Sequence, residues 1–281
     1  MNLTEMWRQS WTGGWTSLVP LQSNGQLYLL SYKAQSGDAA LDRFNADGSY
    51  SEVWRQSWTG GWTSLVPLQL SGQQYLLSYK AQSGDAALDR YKPDGSYSEV
   101  WRQSWTGGWT SLVPLQLSGQ QYLLSYKAQS GDAALDRYKP DGSYSEEWRQ
   151  SWTGGWTSLV PLQSNGQQYL LSYKAQSGDA ALDRYKPDGS YSEEWRQSWT
   201  GGWTSLVPLQ LSGQQYLLSY KAQSGDAALD RYKPDGSYSE EWRQSWTGGW
   251  TSLVPLQSNG QQYLLSYKAQ SGDAALDRLD P

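Results

Sequence analysis

Cysteine and histidine are both absent from this 281-residue chain, and phenylalanine occurs once. Without cysteine there is no disulfide framework, no thiolate chemistry and no sign of the redox compartment. Without histidine the commonest general base and metal ligand is missing. No Asp-rich loop has calcium spacing, so neither a metal nor any other cofactor is expected. Thr-Gly-Gly-Trp is a glycine turn rather than a phosphate-cradling loop. Basic clusters are lacking too: Lys and Arg total 22 against 27 Asp and Glu, a net charge of −5. That balance argues against nucleic acid and anionic membrane as partners. No stretch approaches the roughly 20 apolar residues that span a bilayer. Residues 1–10 have neither the basic start nor the apolar run of a signal peptide, and localisation is otherwise unread.

What the chain does have is Trp and Tyr, 18 and 21 of them, with 29 Gly and 11 Pro. They fall in a strict repeat. Trp-Arg-Gln-Ser-Trp-Thr-Gly-Gly-Trp begins at Trp7, Trp54, Trp101, Trp148, Trp195 and Trp242, so six units of 47 residues follow one another without insertion. The copies differ mainly at Ser-Asn-Gly versus Leu-Ser-Gly, at Glu-Val versus Glu-Glu, and at Phe44-Asn45-Ala46.

Within the unit from Trp62 to Trp109 the pattern predicts four short strands. Thr63–Gln69 is apolar, and Ser71-Gly72 is a turn signal. Gln74–Lys80 alternates, with Tyr75, Leu77 and Tyr79 on one face. Ala86–Tyr91 follows the turn at Gln82–Asp85. Lys92-Pro93-Asp94-Gly95 is a tight turn, since Pro presets φ and Gly accepts positive φ, and Tyr97–Trp105 is the fourth strand. Four antiparallel strands repeated at this period predict an all-β, six-bladed β-propeller, one domain over residues 1–281. No segment has a helical apolar period. Pro67, which lacks an N–H, suits a sheet edge, so Thr63–Gln69 is placed innermost and Tyr97–Trp105 outermost. Residues 1–6 align with positions 48–53, which makes Leu3–Trp11 an outermost strand with no blade before it. It is expected to complete the last blade, Thr251–Arg278, in a one-plus-three seam that removes an open edge. The expected state is a monomer, although identical units also permit a dimer or a swapped assembly.

Gly-Gly-Trp-Thr followed by an apolar strand, together with Asn24-Gly25-Gln26-Leu27-Tyr28, resembles the tachylectin-2-type propeller lectins and the Trp-rich propeller repeats of bacterial lectins. Glu146 to Trp156 is similar to the fucose-binding propeller lectins. That resemblance implies an Arg, a Glu and a Trp gripping a sugar between neighbouring blades, with Arg90, Glu99 and Trp101 as nearest equivalents. The near-identity of the copies also resembles a designed or recently amplified propeller.

The Trp of each repeat read in two ways: as core and inter-blade packing, or as platforms on which a sugar stacks. On the second reading the contacts come from Trp11 and Trp15, Trp58 and Trp62, Trp105 and Trp109, Trp152 and Trp156, Trp199 and Trp203, and Trp246 and Trp250, flanking the glycine pair of each blade connection. The polar contacts are Arg90, Glu99, Arg137, Glu146, Arg184, Glu193, Arg231 and Glu240, where a guanidinium and a carboxylate bracket vicinal hydroxyls. Asp89-Arg90 with Glu99 also reads as an ordinary cross-strand ion pair. Asp94 and Asp85 read as turn chemistry. Glu146 and Glu147, adjacent in a strand, point to opposite faces and cannot share one site. The expected function is therefore multivalent glycan binding at up to six equivalent sites, with a symmetric scaffold lacking a selected ligand as the alternative. No enzymatic activity is expected, because repetition places the same groups in every blade whereas a catalytic centre needs different residues in defined roles.

Overall fold

The computed structural model describes residues 2–280. The chain folds into six four-stranded antiparallel sheets, the blades of a six-bladed β-propeller, and among the described residues there is no helix. We number the blades by residues: 17–57, 64–104, 111–151, 158–198 and 205–245 are blades 1 to 5. Blade 6 joins the strands of residues 252–280 to the strand Asn2–Ser10. The chain falls into two compact units, one holding blades 1, 2 and 6, the other blades 3, 4 and 5.

Blade 2 shows how the sequence builds the unit. Its strands are Ser64–Leu70, Gln73–Tyr79, Asp85–Tyr91 and Tyr97–Ser104, each within about one residue of the sequence expectation, and paired in that order. The first hairpin closes on Ser71 (φ 48°) and Gly72 (φ 77°). A two-residue loop with positive φ at both positions is the turn whose twist matches its strands, which is why Asn-Gly or Ser-Gly recurs here. The innermost strands of blades 1 and 2 lie against each other, as the placement of Pro67 requires. Small Ala86 and Ala87 in the third strand are 0% and 1% exposed. The core lies between blades: Leu21, Leu30 and Leu41 of blade 1 cluster with Leu76 and Tyr91 of blade 2.

The seam forms as expected. Asn2–Ser10 pairs antiparallel with Asp273–Asp280, from Asn2 opposite Asp280 to Ser10 opposite Asp273. This strand carries a feature the alternating pattern does not show. Its pairing skips Met6, so Glu5 opposes Asp277 and Trp7 opposes Leu276. In blade 2 the same β-bulge leaves out Val100 between Asp89–Glu99 and Leu88–Trp101. One extra residue reverses the facing of everything after it. Met6, Val53 and Val100, the bulged residues of blades 6, 1 and 2, are 36–39% exposed.

Each of the Trp positions in a repeat has a distinct structural task. Trp54 Nε1 donates to the Gly95 carbonyl in the Pro-Asp-Gly turn of the next blade at 2.9 Å. Trp58 Nε1 donates to the Tyr97 hydroxyl at 2.8 Å. Trp62 is 4% exposed.

Tyr91, Tyr138, Tyr185 and Tyr232 stack on the first tyrosine of their outer strands with ring centroids 5.2 Å apart. Their hydroxyls are buried without a hydrogen-bond partner. Blade 1 has Phe44 at this place, stacked on Tyr50 at the same 5.2 Å. An unpaired buried hydroxyl costs about 1–3 kcal/mol. Replacing all four tyrosines by Phe is therefore expected to raise the unfolding free energy by about 1 kcal/mol per site, and the urea midpoint with it. A lowered midpoint in urea would show that the hydroxyls are paired in solution.

Candidate functional site

Between neighbouring blades, behind the glycine connection, each described cleft is built from the same residues. In the first unit, the cleft between blades 1 and 2 has a volume of about 270 Å³ and is lined by Trp58, Thr59, Trp62, Ser78, Asp89, Tyr97, Glu99 and Arg102. The cleft between blades 6 and 1 measures about 240 Å³ and includes Trp11, Trp15, Asp42, Tyr50, Glu52 and Arg55. In the second unit, the cleft between blades 3 and 4 measures about 260 Å³ and includes Trp152, Trp156, Asp183, Tyr191, Glu193 and Arg196. Ligand sites for drug-sized molecules run to about 300–1,000 Å³, so these clefts suit something nearer a single small ring.

The bulge composes this site. In a straight strand Glu99 and Arg102, three residues apart, would face opposite sides. Skipping Val100 puts them on one face, and Arg102 donates to Glu99 Oε2 from Nη2 at 2.6 Å and from Nε at 3.1 Å. Both bonds use one carboxylate oxygen, Glu99 Oε2. The Arg102 guanidinium also sits 5.5 Å from the Trp62 ring centre, and the Lys80 ammonium 4.9 Å from it. The same two cations flank Trp15, Trp109, Trp156, Trp203 and Trp250, from Lys33 and Arg55 over Trp15 to Lys268 and Arg8 over Trp250. The Glu–Arg bond recurs in every outer strand, at Glu5–Arg8, Glu52–Arg55, Glu146–Arg149, Glu193–Arg196 and Glu240–Arg243.

Asp89 stands opposite Glu99 on the adjacent strand. Burial, then the neighbouring Glu99 carboxylate, push its carboxyl up to about 6, with Arg102 pulling the other way. Asp42, Asp136, Asp183 and Asp230 are raised to about 6 for the same reasons.

The structure separates some of the residues the sequence brought together. Arg90 does not meet Glu99. It opposes Ser98 in the pairing and donates to Gln73 Oε1 at 2.9 Å, and Arg231 does the same to Gln214 at 3.2 Å. Arg137 and Arg184 hold the corresponding register, opposite Ser145 and Ser192. The arginine beside the glutamate is the one in Trp-Arg-Gln-Ser: Arg102, Arg149, Arg196 or Arg243. The glutamates Glu99, Glu146, Glu193 and Glu240 keep their place in this arrangement. Of each Trp pair, the first member (Trp11, Trp58, Trp105, Trp152, Trp199, Trp246) is half-buried, whereas the second (Trp15, Trp62, Trp109, Trp156, Trp203, Trp250) is 3–4% exposed. The second Trp therefore orients cations and offers no open stacking face. Tyr97 and Arg102 are the cleft residues that the sequence reading did not put with Asp89 and Glu99. The variation of position 100 between Met, Val and Glu across copies was the signal of an unpaired, outward residue.

No protein-family model matches the chain, and no curated protein matches it. Solved structures do. A candidate 6-phosphogluconolactonase from Bacteroides fragilis is similar with a TM-score of 0.59 at 13% identity, over 94% of this chain and 84% of that one. A second, from Bacteroides uniformis, gives 0.60 at 15% identity over 90% and 78%. The periplasmic gluconolactonase of Pseudomonas aeruginosa gives 0.54 at 16% identity over 91% and 81%. At such identities the likeness is one of fold. It corrects the expectation that this chain has no enzymatic activity, since propellers of this shape are named as lactonases. The premise of that expectation also fails on physical grounds. Repetition makes the clefts alike, yet inside one cleft Asp89 and Glu99 are carboxyls in different surroundings, one bonded to Arg102 and one not.

Proposed function

We propose that the inter-blade clefts bind carbohydrate, one ring per cleft, and that the repeated blades make the protein multivalent toward glycans. The observation that supports this most is the Arg102–Glu99 pair beside half-buried Trp58. A guanidinium and a carboxylate with unused donor and acceptor positions match two adjacent hydroxyls. An indole edge and Tyr97 supply apolar cover for the C–H face of a sugar. Several weak sites on one rigid body gain strongly by avidity toward clustered ligands. The blade resemblance to propeller lectins points the same way.

The test is a glycan array followed by calorimetry, with a variant carrying Arg→Gln at Arg8, Arg55, Arg102, Arg149, Arg196 and Arg243. The unmodified protein is expected to bind multivalent glycans. The variant is expected to lose at least about 30-fold in affinity per site, since a charge-assisted bidentate contact is worth roughly 2 kcal/mol or more. Absence of binding at millimolar monosaccharide and to every multivalent glycan would leave the symmetric scaffold as the reading. Sugar lactones belong on the same panel, because the similar folds named above include a gluconolactonase. Turnover of a lactone would make the clefts catalytic as well as binding.

A further inference from the structure

Each described cleft holds two carboxyls and one guanidinium. We infer that the clefts select ligands bearing a protonated amine, amino sugars in the first place, with the third-strand aspartate of each cleft as the anchor for the ammonium group. This rests on the carbohydrate reading and names its ligand class.

The cations already in place are committed. Arg102 is bonded twice to Glu99 Oε2 and lies over Trp62. Lys80 lies over the same ring and is not part of the cleft wall. The wall contributed by the connection between the blades, Trp58, Thr59 and Trp62, carries no charge. The charged groups acting on Asp89 are Glu99 and Arg102, and its phenolic neighbours are Tyr91 and Tyr97. No hydrogen bond reaches the Asp89 carboxyl among the described residues. It is a half-buried acid beside a second acid, and the guanidinium of the cleft, Arg102, is bonded to that second acid. An entering ammonium would pair with it, and the rings of Trp58 and Tyr97 would add cation–π attraction. An anionic ligand would instead meet two carboxyls. The raised aspartate supports the same picture: an amine that pairs with its ionised form draws it back toward the ordinary carboxylate range, and each unit recovered is tenfold in affinity.

The linkage gives a sign. Binding the ionised aspartate releases a proton while Asp89 is still partly protonated, near pH 6. Affinity for an amine should therefore rise as pH increases through that value, and fall below it.

The probes are galactosamine, galactose, N-acetylgalactosamine and cyclohexylamine, titrated calorimetrically against the full chain at about pH 5 and about pH 7.5, on either side of the aspartate's titration. Galactosamine is expected to bind at least about tenfold tighter than galactose at the higher pH, a preference that shrinks at the lower. The heat near pH 6 should vary with the buffer's ionisation enthalpy, reporting proton release. A variant with Asn at Asp42, Asp89, Asp136, Asp183, Asp230 and Asp277 should bind galactosamine and galactose alike. Asn is neutral and of the same shape, so the variant should fold; the proton-release measurement on the unmodified protein keeps the test decisive if it does not. Galactose and N-acetylgalactosamine binding as tightly as galactosamine would overturn the inference and leave carbohydrate binding standing. Cyclohexylamine matching galactosamine while the neutral sugars fail would keep the amine preference and overturn the carbohydrate reading. No binding by any probe would overturn both.

Discussion

A chain lacking residues 1–10 is expected to form larger dimers or aggregates than the full chain does, and to unfold at a markedly lower temperature. The deleted segment pairs along the whole of Asp273–Asp280. Its loss leaves a row of unpaired N–H and C=O groups on a strand whose other face is buried, which is the template for edge-to-edge association. The side chains lost with it are anchors as well: Trp7 Nε1 donates to the Gly48 carbonyl at 2.9 Å, and Arg8 lies over the Trp250 ring at 5.6 Å. Light scattering after gel filtration, with thermal melts of both forms, measures the effect. Adding a peptide of residues 1–11 in trans should restore the size of the full chain and part of the melting temperature. A truncated chain that keeps the full chain's size and melts unchanged would mean that the seam contributes nothing.

A single methyl group at Gly178 should cost far more than the same methyl group at Gly166. Gly178 has φ +81°, and a Cβ built there would stand 2.0 Å from the Trp199 carbonyl oxygen and 3.0 Å from its carbon. That contact is backbone on backbone, so no side chain can swing away. The carbonyl of Gly178 also accepts the Trp199 N–H at 2.7 Å, locking the strand exit against the turn. Gly166 in the same blade has φ +74° and nothing within 4 Å of the added atom. Gly166→Ala should cost only the left-handed strain, about 1–2 kcal/mol. Gly178→Ala should cost at least about 4 kcal/mol, or prevent folding of the blade. Urea denaturation of the two variants side by side decides it, and equal costs would show that the connection shifts freely. Because Trp199 belongs to the connection, Gly178→Ala should also disturb the cleft it borders.

Strand existence, order and closure were legible because each is written in local chemistry. Asn-Gly and Ser-Gly fix the two-residue loops, Pro-Asp-Gly the third turn, and Pro67 the inner edge. The stray strand at residues 3–11 had one place to go. The site was legible only in part, and the reason is the bulge. Strict alternation along Tyr97, Glu99 and Trp101 places Arg102 on the far side, and the resemblance to fucose-binding propeller lectins pointed instead to Arg90 as the partner of Glu99. The pairing reverses this: Val100 is skipped, and Arg102 arrives beside Glu99. Aromatic content was also read too generously. Trp62 has the residue type of a sugar platform, yet two cations of the blade that follows it, Lys80 and Arg102, lie over its ring, a contact made by the fold of the sheet and not by spacing along the chain.

The skipped residue at positions 6, 53, 100, 147, 194 and 241 works as a change of phase. Upstream of it the outer strand writes one side of its sheet, and downstream it writes the other. The cleft is read from both halves, Tyr97 and Glu99 before the slip and Arg102 after it. The residue at the slip is therefore released from pairing, and it is where the copies differ in charge while the cleft residues stay constant.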